Sequence, residues 1–140
     1  DVVVVGLGAS DLDDYLRRAA EQRGRLLAPE PTPEKGLYYR SDHFNLAKLG
    51  VPMLYPKPGI DLVTGGPEAG RAWQETYVAE RYHKVSDEYD PSWNVSGTLA
   101  DLALYYDVGR AVANESGWPQ WSEDNEFRAI REASRNPDGN

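Results

Sequence analysis

The run Val2-Val3-Val4-Val5 constrains this chain more than any other stretch. Four consecutive β-branched residues favour extended backbone, and an apolar run without polar alternation fits a strand covered on both faces. Such strands belong to α/β sheets with helices on either side. Gly6-Leu7-Gly8 is the turn out of the strand. The two glycines do not complete a dinucleotide fingerprint, because Asp11 stands where its third glycine would be. Ser10 opens a helix, with Asp13 placed for a capping-box-like arrangement and Leu12, Tyr15, Leu16 and Ala19 on one face. Asp13 with Arg17, and Asp14 with Arg18, are spaced as ion pairs on its outer side. Gly24 stops the helix, and Arg25 to Ala28 reads as a second strand. Strand, helix, strand in succession predicts a βαβ unit. The fold class expected is α/β, part of a mostly parallel mixed sheet flanked by helices.

The rest of the chain continues the alternation. Pro29, Pro31 and Pro33 mark a loop, Phe44 to Leu49 a short helix closed by Gly50, and Val51 to Tyr55 a further core strand. Pro56 to Gly70 reads as a long loop and Arg71 to Arg81 as partly helical. Asn94-Val95-Ser96 opens the longest helix. Its stripe of Val95, Leu99, Leu102, Tyr106, Gly109 and Ala113 is expected to pack on the sheet. Glu126 to Ser134 is a last helix with Phe127 and Ile130 inward, and residues 136–140 read as a tail after one domain over 1–135.

A net charge of −8 and a pI near 4.7 argue against a nucleic-acid partner, which needs a basic footprint. With no cysteine, disulfides and thiolate metal sites are excluded. No apolar run approaches the roughly 20 residues of a membrane helix, and no secretory signal is expected within these residues.

One of the two histidines, His83, lies in Tyr82-His83-Lys84-Val85-Ser86-Asp87. Read alone, it is either an ordinary loop histidine or a metal ligand whose second nitrogen a carboxylate orients. No second histidine at ligand spacing decides between them.

Three segments taken together carry a resemblance. Arg40-Ser41-Asp42-His43-Phe44, then Ala47-Lys48-Leu49-Gly50-Val51-Pro52, then Tyr82-His83 before Ser86-Asp87 resemble, in that order, the C-terminal part of bacterial zinc-dependent aminopeptidases of the M28 family. Gly6 to Leu12 and Pro119-Gln120-Trp121 with Glu126-Phe127-Arg128 fit the flanks. The resemblance implies a peptide substrate and two zinc ions, with His83 as the last metal ligand. It implies that Tyr82 polarises the scissile carbonyl, with wall packing as the plainer alternative. Asp42 would be a pocket carboxylate that orients its neighbours. Arg40 would approach substrate or form a salt bridge, and His43 would be structural and hydrogen-bonded.

The family's remaining ligands, its bridging acid and its glutamate base lie N-terminal to the region matched, and Asp11, Asp13 and Asp14, expected on a surface helix, do not replace them. The expectation is thus a C-terminal portion of a peptidase domain, inactive alone, whose partner is the missing N-terminal part. Its parent would be exported, periplasmic or extracellular, and the portion would self-associate through exposed edges. The alternatives are a non-catalytic ectodomain used for binding or dimerisation, and a glutaminyl cyclase-like acyl transfer. The latter carries Asp-Asp-His where this chain has Ser41-Asp42-His43.

Overall fold

The computed structural model describes residues 1–135; the tail expected over 136–140 lies outside the described residues. Strand β1 (Val2–Val5) is central in a three-stranded sheet between β2 (Leu27–Pro29) and β3 (Tyr55–Pro58). It pairs in parallel with β2, Val2 opposite Leu27, and antiparallel with β3, Val2 opposite Pro58 and Val5 opposite Tyr55. The α/β class and the mixed sheet flanked by helices follow the sequence reading. The third strand is displaced: it begins at Tyr55, and Val51, expected in the core, is 38% exposed. Pro56 and Pro58 are accommodated because β3 is an edge strand, where a missing N–H costs no ladder partner on the open side.

Alternation along β1 fills both faces. Val2 and Val4 enter a core with Leu16, Ala19 and Ala20 of α1 (Leu12–Glu21) and Leu104 and Val108 of the long helix. Val5 enters a second core on the other face with Tyr38, Ala47, Trp121 and Phe127. Each fully buried Val or Leu contributes about 1.5–3 kcal/mol by leaving water. Burial of this one strand therefore ties the two layers together.

Two short helices end the same way. After α1, Gly24 takes φ +66°, its N–H donates to the Glu21 carbonyl (3.0 Å) and Arg25 N–H to the Ala20 carbonyl (2.9 Å). After α2 (Phe44–Ala47), Gly50 takes φ +82°, its N–H donates to Ala47 (2.8 Å) and Val51 N–H to Leu46 (3.2 Å). Both are Schellman closures, which satisfy the last carbonyls and require a left-handed residue.

The remaining helices are α3 (Gly66–Glu80), α4 (Ser96–Asn114) and α5 (Arg128–Arg135). Because α3 starts at Gly66, the long loop expected over Pro56 to Gly70 shrinks to the stretch between β3 and that helix. The start of α1 also differs. Asp11 precedes the helix without a side-chain cap bond, and Asp13 is buried rather than on the surface, its Oδ2 accepting the Gly8 N–H at 2.5 Å. The outer ion pair is Asp14 with Arg17 (4.0 Å), whereas Arg18 meets Glu115 (3.8 Å).

The apolar stripe of α4 faces away from the core. Val95, Leu99, Leu102 and Tyr106 are 47–69% exposed, while Asp101, Leu104 and Val108 are buried against α1 and the sheet. Charge sets the rotation. Asp101 receives Arg25 Nη1 at 2.6 Å, and Arg25 also reaches the Asp1 carbonyl (3.0 Å). Further along the same helix, Asp107 pairs with Arg23. Turning the apolar stripe inward would strand both acids and leave Arg25 half-buried without its carboxylate.

The C-terminal segment fastens the turn after β1. Asp11 and Gln120 exchange bonds, Asp11 N–H to the Gln120 carbonyl (3.1 Å) and Gln120 N–H to Asp11 Oδ1 (2.9 Å), and Ser122 N–H donates to Ala9 (2.9 Å). This zipper delivers Trp121 into the second core, where its Nε1 donates to the Gly50 carbonyl at 3.0 Å. Phe127, just before α5, is buried as expected, but Ile130 is 43% exposed, and α5 itself buries no residue.

Candidate functional site

The four residues singled out from the sequence fall in two neighbourhoods. Tyr82 and His83 follow α3, whose last turn closes when Arg81 and Tyr82 N–H both donate to the Tyr77 carbonyl (2.9 Å each). The chain then turns tightly, Lys84 N–H to the Arg81 carbonyl (2.8 Å), with His83 at the bend. His83 is the one non-glycine residue at positive φ among those described, at +60°. Glycine would occupy this conformation more cheaply, so retaining an imidazole here carries a conformational cost. The imidazole is exposed and stacks on the Tyr82 ring, centroids 3.9 Å apart and planes 21° apart. Tyr82 is half exposed and lies 6.0 Å, ring to ring, from Tyr77. The Tyr77 hydroxyl donates to Asp87 at 3.0 Å, and that bond raises the tyrosine's pKa by stabilising its protonated form.

Arg40 and Asp42 flank the end of a 3₁₀ turn (Leu37–Arg40) and are both exposed. They border an aromatic cluster that covers the second core. Tyr38 meets His43 edge-on (4.8 Å), His43 meets Tyr55 (5.1 Å), and Tyr39 meets Phe44 (5.3 Å). Gly6 is required here: a β-carbon on it would stand 2.5 Å from the Tyr38 ring, at φ +73°. His43 is not hydrogen-bonded, contrary to expectation: its Nε2 is buried without a hydrogen-bond partner among the described residues. Ring contacts hold it instead. Burial lowers its pKa, with Asp42 pulling the other way. Burial likewise pushes the Tyr38 hydroxyl up to about 12, and that hydroxyl too has no partner among the described residues.

No hydrogen bond, ion pair or ring contact joins the Tyr82-His83 turn to Arg40 or Asp42 among the described residues. Nor does any group of three or more His, Cys, Asp or Glu side chains able to hold a metal come together there. A zinc site needs about three protein ligands, so these residues do not by themselves fit one. Among the described residues, no helix is long and apolar enough to cross a membrane.

One feature escaped sequence reading. Trp73, Tyr77, Arg81 and Trp93 share a cleft beside the His83 turn. Only the Trp73–Tyr77 spacing, one helical turn, could have hinted at it.

The family model described as Peptidase family M28 matches residues 2–107. Comparison with curated proteins and with solved structures gave no match. The matched span holds β1, α1, the whole sheet, Arg40, Asp42, Tyr82 and His83. On that span, most of its length, the chain belongs to the M28 family of peptidases.

Proposed function

We propose that this chain is the C-terminal portion of a metal-dependent aminopeptidase, contributing one metal ligand and part of the substrate wall, and that it does not turn over substrate alone. The observation that carries this reading is His83 itself. It is an exposed imidazole held in a left-handed turn where glycine would be cheaper, stacked on Tyr82 and otherwise uncommitted. Backbone strain at an exposed, chemically able side chain points to function rather than packing. Zinc is the metal the family generally uses, and it would activate water when bound. This chain's share is narrower. His83 offers one neutral imidazole nitrogen, and the stack on Tyr82 limits the directions the ring can take. Tyr82, half exposed and stacked on that imidazole, offers a phenol that can donate to a carbonyl oxygen of bound peptide. Arg40 and Asp42, both exposed at the other end of the family motif, supply opposite charges for a peptide's polar ends. The other ligands and the general base come from the N-terminal part of the same domain. The outward apolar stripe of α4 supports an additional surface of this kind, or self-association when that part is lacking. Export of the parent is part of the same proposal.

Complementation tests it. The chain is mixed with an N-terminal portion of an M28 peptidase that carries the missing ligands, and leucine p-nitroanilide hydrolysis is followed with and without chelator. Chelator-sensitive turnover, absent from either piece and abolished by His83→Ala, is expected. Complex formation without turnover would place the chain among non-catalytic ectodomains.

A further inference from the structure

A cleft of about 560 Å³ opens between α3 and the first turn of α4, of the size that small-molecule and peptide-end sites take. Trp73 and Tyr77 lie parallel on one side, ring centres 5.6 Å apart and planes 2° apart. Trp93 forms another wall, and the Arg81 guanidinium sits 5.7 Å from its ring centre. Trp73 is 65% and Trp93 44% exposed, so both indoles keep area open to water beside their contacts with Tyr77 and Arg81. The charges are unevenly committed. Asp87 in the lining already accepts the Tyr77 hydroxyl, and neighbouring Asp90 accepts both the Ser92 hydroxyl (2.7 Å) and its N–H (2.9 Å). Arg81 forms no ion pair among the described residues.

Flat apolar faces beside a guanidinium that lies over Trp93 and that no carboxylate pairs among the described residues suit one kind of ligand: an aromatic ring that stacks on indole, with a carboxylate close by that takes the fork of Arg81. We propose that this cleft binds the C-terminal end of a peptide whose last residue is aromatic. Calling the ligand a peptide rests on the peptidase reading; the chemistry of ring plus carboxylate does not. The place agrees with that reading, since the Tyr82 ring that stacks on His83 is 6.0 Å from the Tyr77 ring of the cleft wall.

The test is a titration of the chain with N-acetyl-phenylalanine, its amide, N-acetyl-alanine and methyl glucoside. It is followed by the indole N–H signals of Trp73 and Trp93 in nuclear magnetic resonance. Saturable shifts with N-acetyl-phenylalanine are expected, about tenfold weaker binding of the amide for loss of one charge-assisted pair, and none with N-acetyl-alanine. Arg81→Gln should bring the acid down to the amide's affinity. Trp93→Ala should lose both, while Trp93→Phe keeps a ring and controls for folding. Trp118→Phe, outside the cleft, should change nothing. Equal binding of acid and amide, binding of N-acetyl-alanine as tight as that of the aromatic, or preference for the glucoside would each overturn the proposal. None of these readouts needs turnover, so binding here can stand if the peptidase assignment falls, and the reverse.

Discussion

Strand β1 and the segment from α3 to the start of α4 sit at opposite ends of the burial scale. The four valines of β1 are 0–8% exposed, with helices on one face and an aromatic cluster on the other. In α3 only Gly70 is buried, and residues 91–100 are exposed throughout. The first region is redundantly held by the sheet, α1, the Arg25–Asp101 pair and the Trp121 zipper. The second carries Tyr82, His83 and the indole-lined cleft. Burial fixes the scaffold, while the residues with chemistry to offer stand where a ligand or the rest of a domain can reach them.

The sharpest way to break this contrast lies within α4. Leu104→Ala, on the inward face, should cost about 3 kcal/mol in urea unfolding, and Leu99→Ala, on the outward stripe, no more than about 0.5 kcal/mol. Equal costs would mean that α4 is rotated from the orientation described.

The ion pairs give the next largest effect. Asp101→Ala leaves Arg25 half-buried without its acid; with side chains 21% and 13% exposed the loss should be about 2 kcal/mol, below that of a fully buried pair. Arg17→Ala, in the exposed pair with Asp14, should change stability by less than about 0.5 kcal/mol. A silent Asp101→Ala would remove the electrostatic reason for the rotation of α4.

Tyr38→Phe should be neutral or stabilise by up to about 1 kcal/mol, because it deletes a buried hydroxyl with no partner among the described residues. Marked destabilisation would reveal a bond to that hydroxyl.

The smallest effect is one of pH. Burial lowers the pKa of His43 below its value of about 6.5 in the unfolded chain. Between the two values the unfolded chain binds more protons. Stability therefore falls as pH drops through that window, and the loss persists below it. His43→Phe should flatten the slope of the urea midpoint as pH falls below about 6.5; an unchanged slope would contradict burial of the ring.

These contrasts also mark what was legible in the sequence. The valine run, the Gly24 and Gly50 closures and the Leu16–Ala19 face were readable, because local chemistry decides them. The orientation of α4 was not. That helix is apolar on two sides, and the choice between them rests on Arg23 and Arg25, far away in sequence. Asp13 was misread for a related reason: the Gly8 N–H that draws it inward is exposed by the turn after β1, not by helix periodicity. At the site, the order of Arg40 to Phe44, Gly50-Val51-Pro52 and Tyr82-His83 was enough to reach the family. The cleft is not legible in the sequence, since Trp73 and Trp93 line one opening only because the chain reverses at His83.

The central claim is that His83 is a ligand waiting for others, and zinc titration of the chain by calorimetry tests it most directly. The expected result is no saturable binding at micromolar zinc, unchanged in His83→Ala, with tight stoichiometric binding that depends on His83 appearing once an N-terminal portion is added. Tight one-to-one binding by this chain alone, lost in His83→Ala, would contradict it and mean that the metal site is complete within these residues.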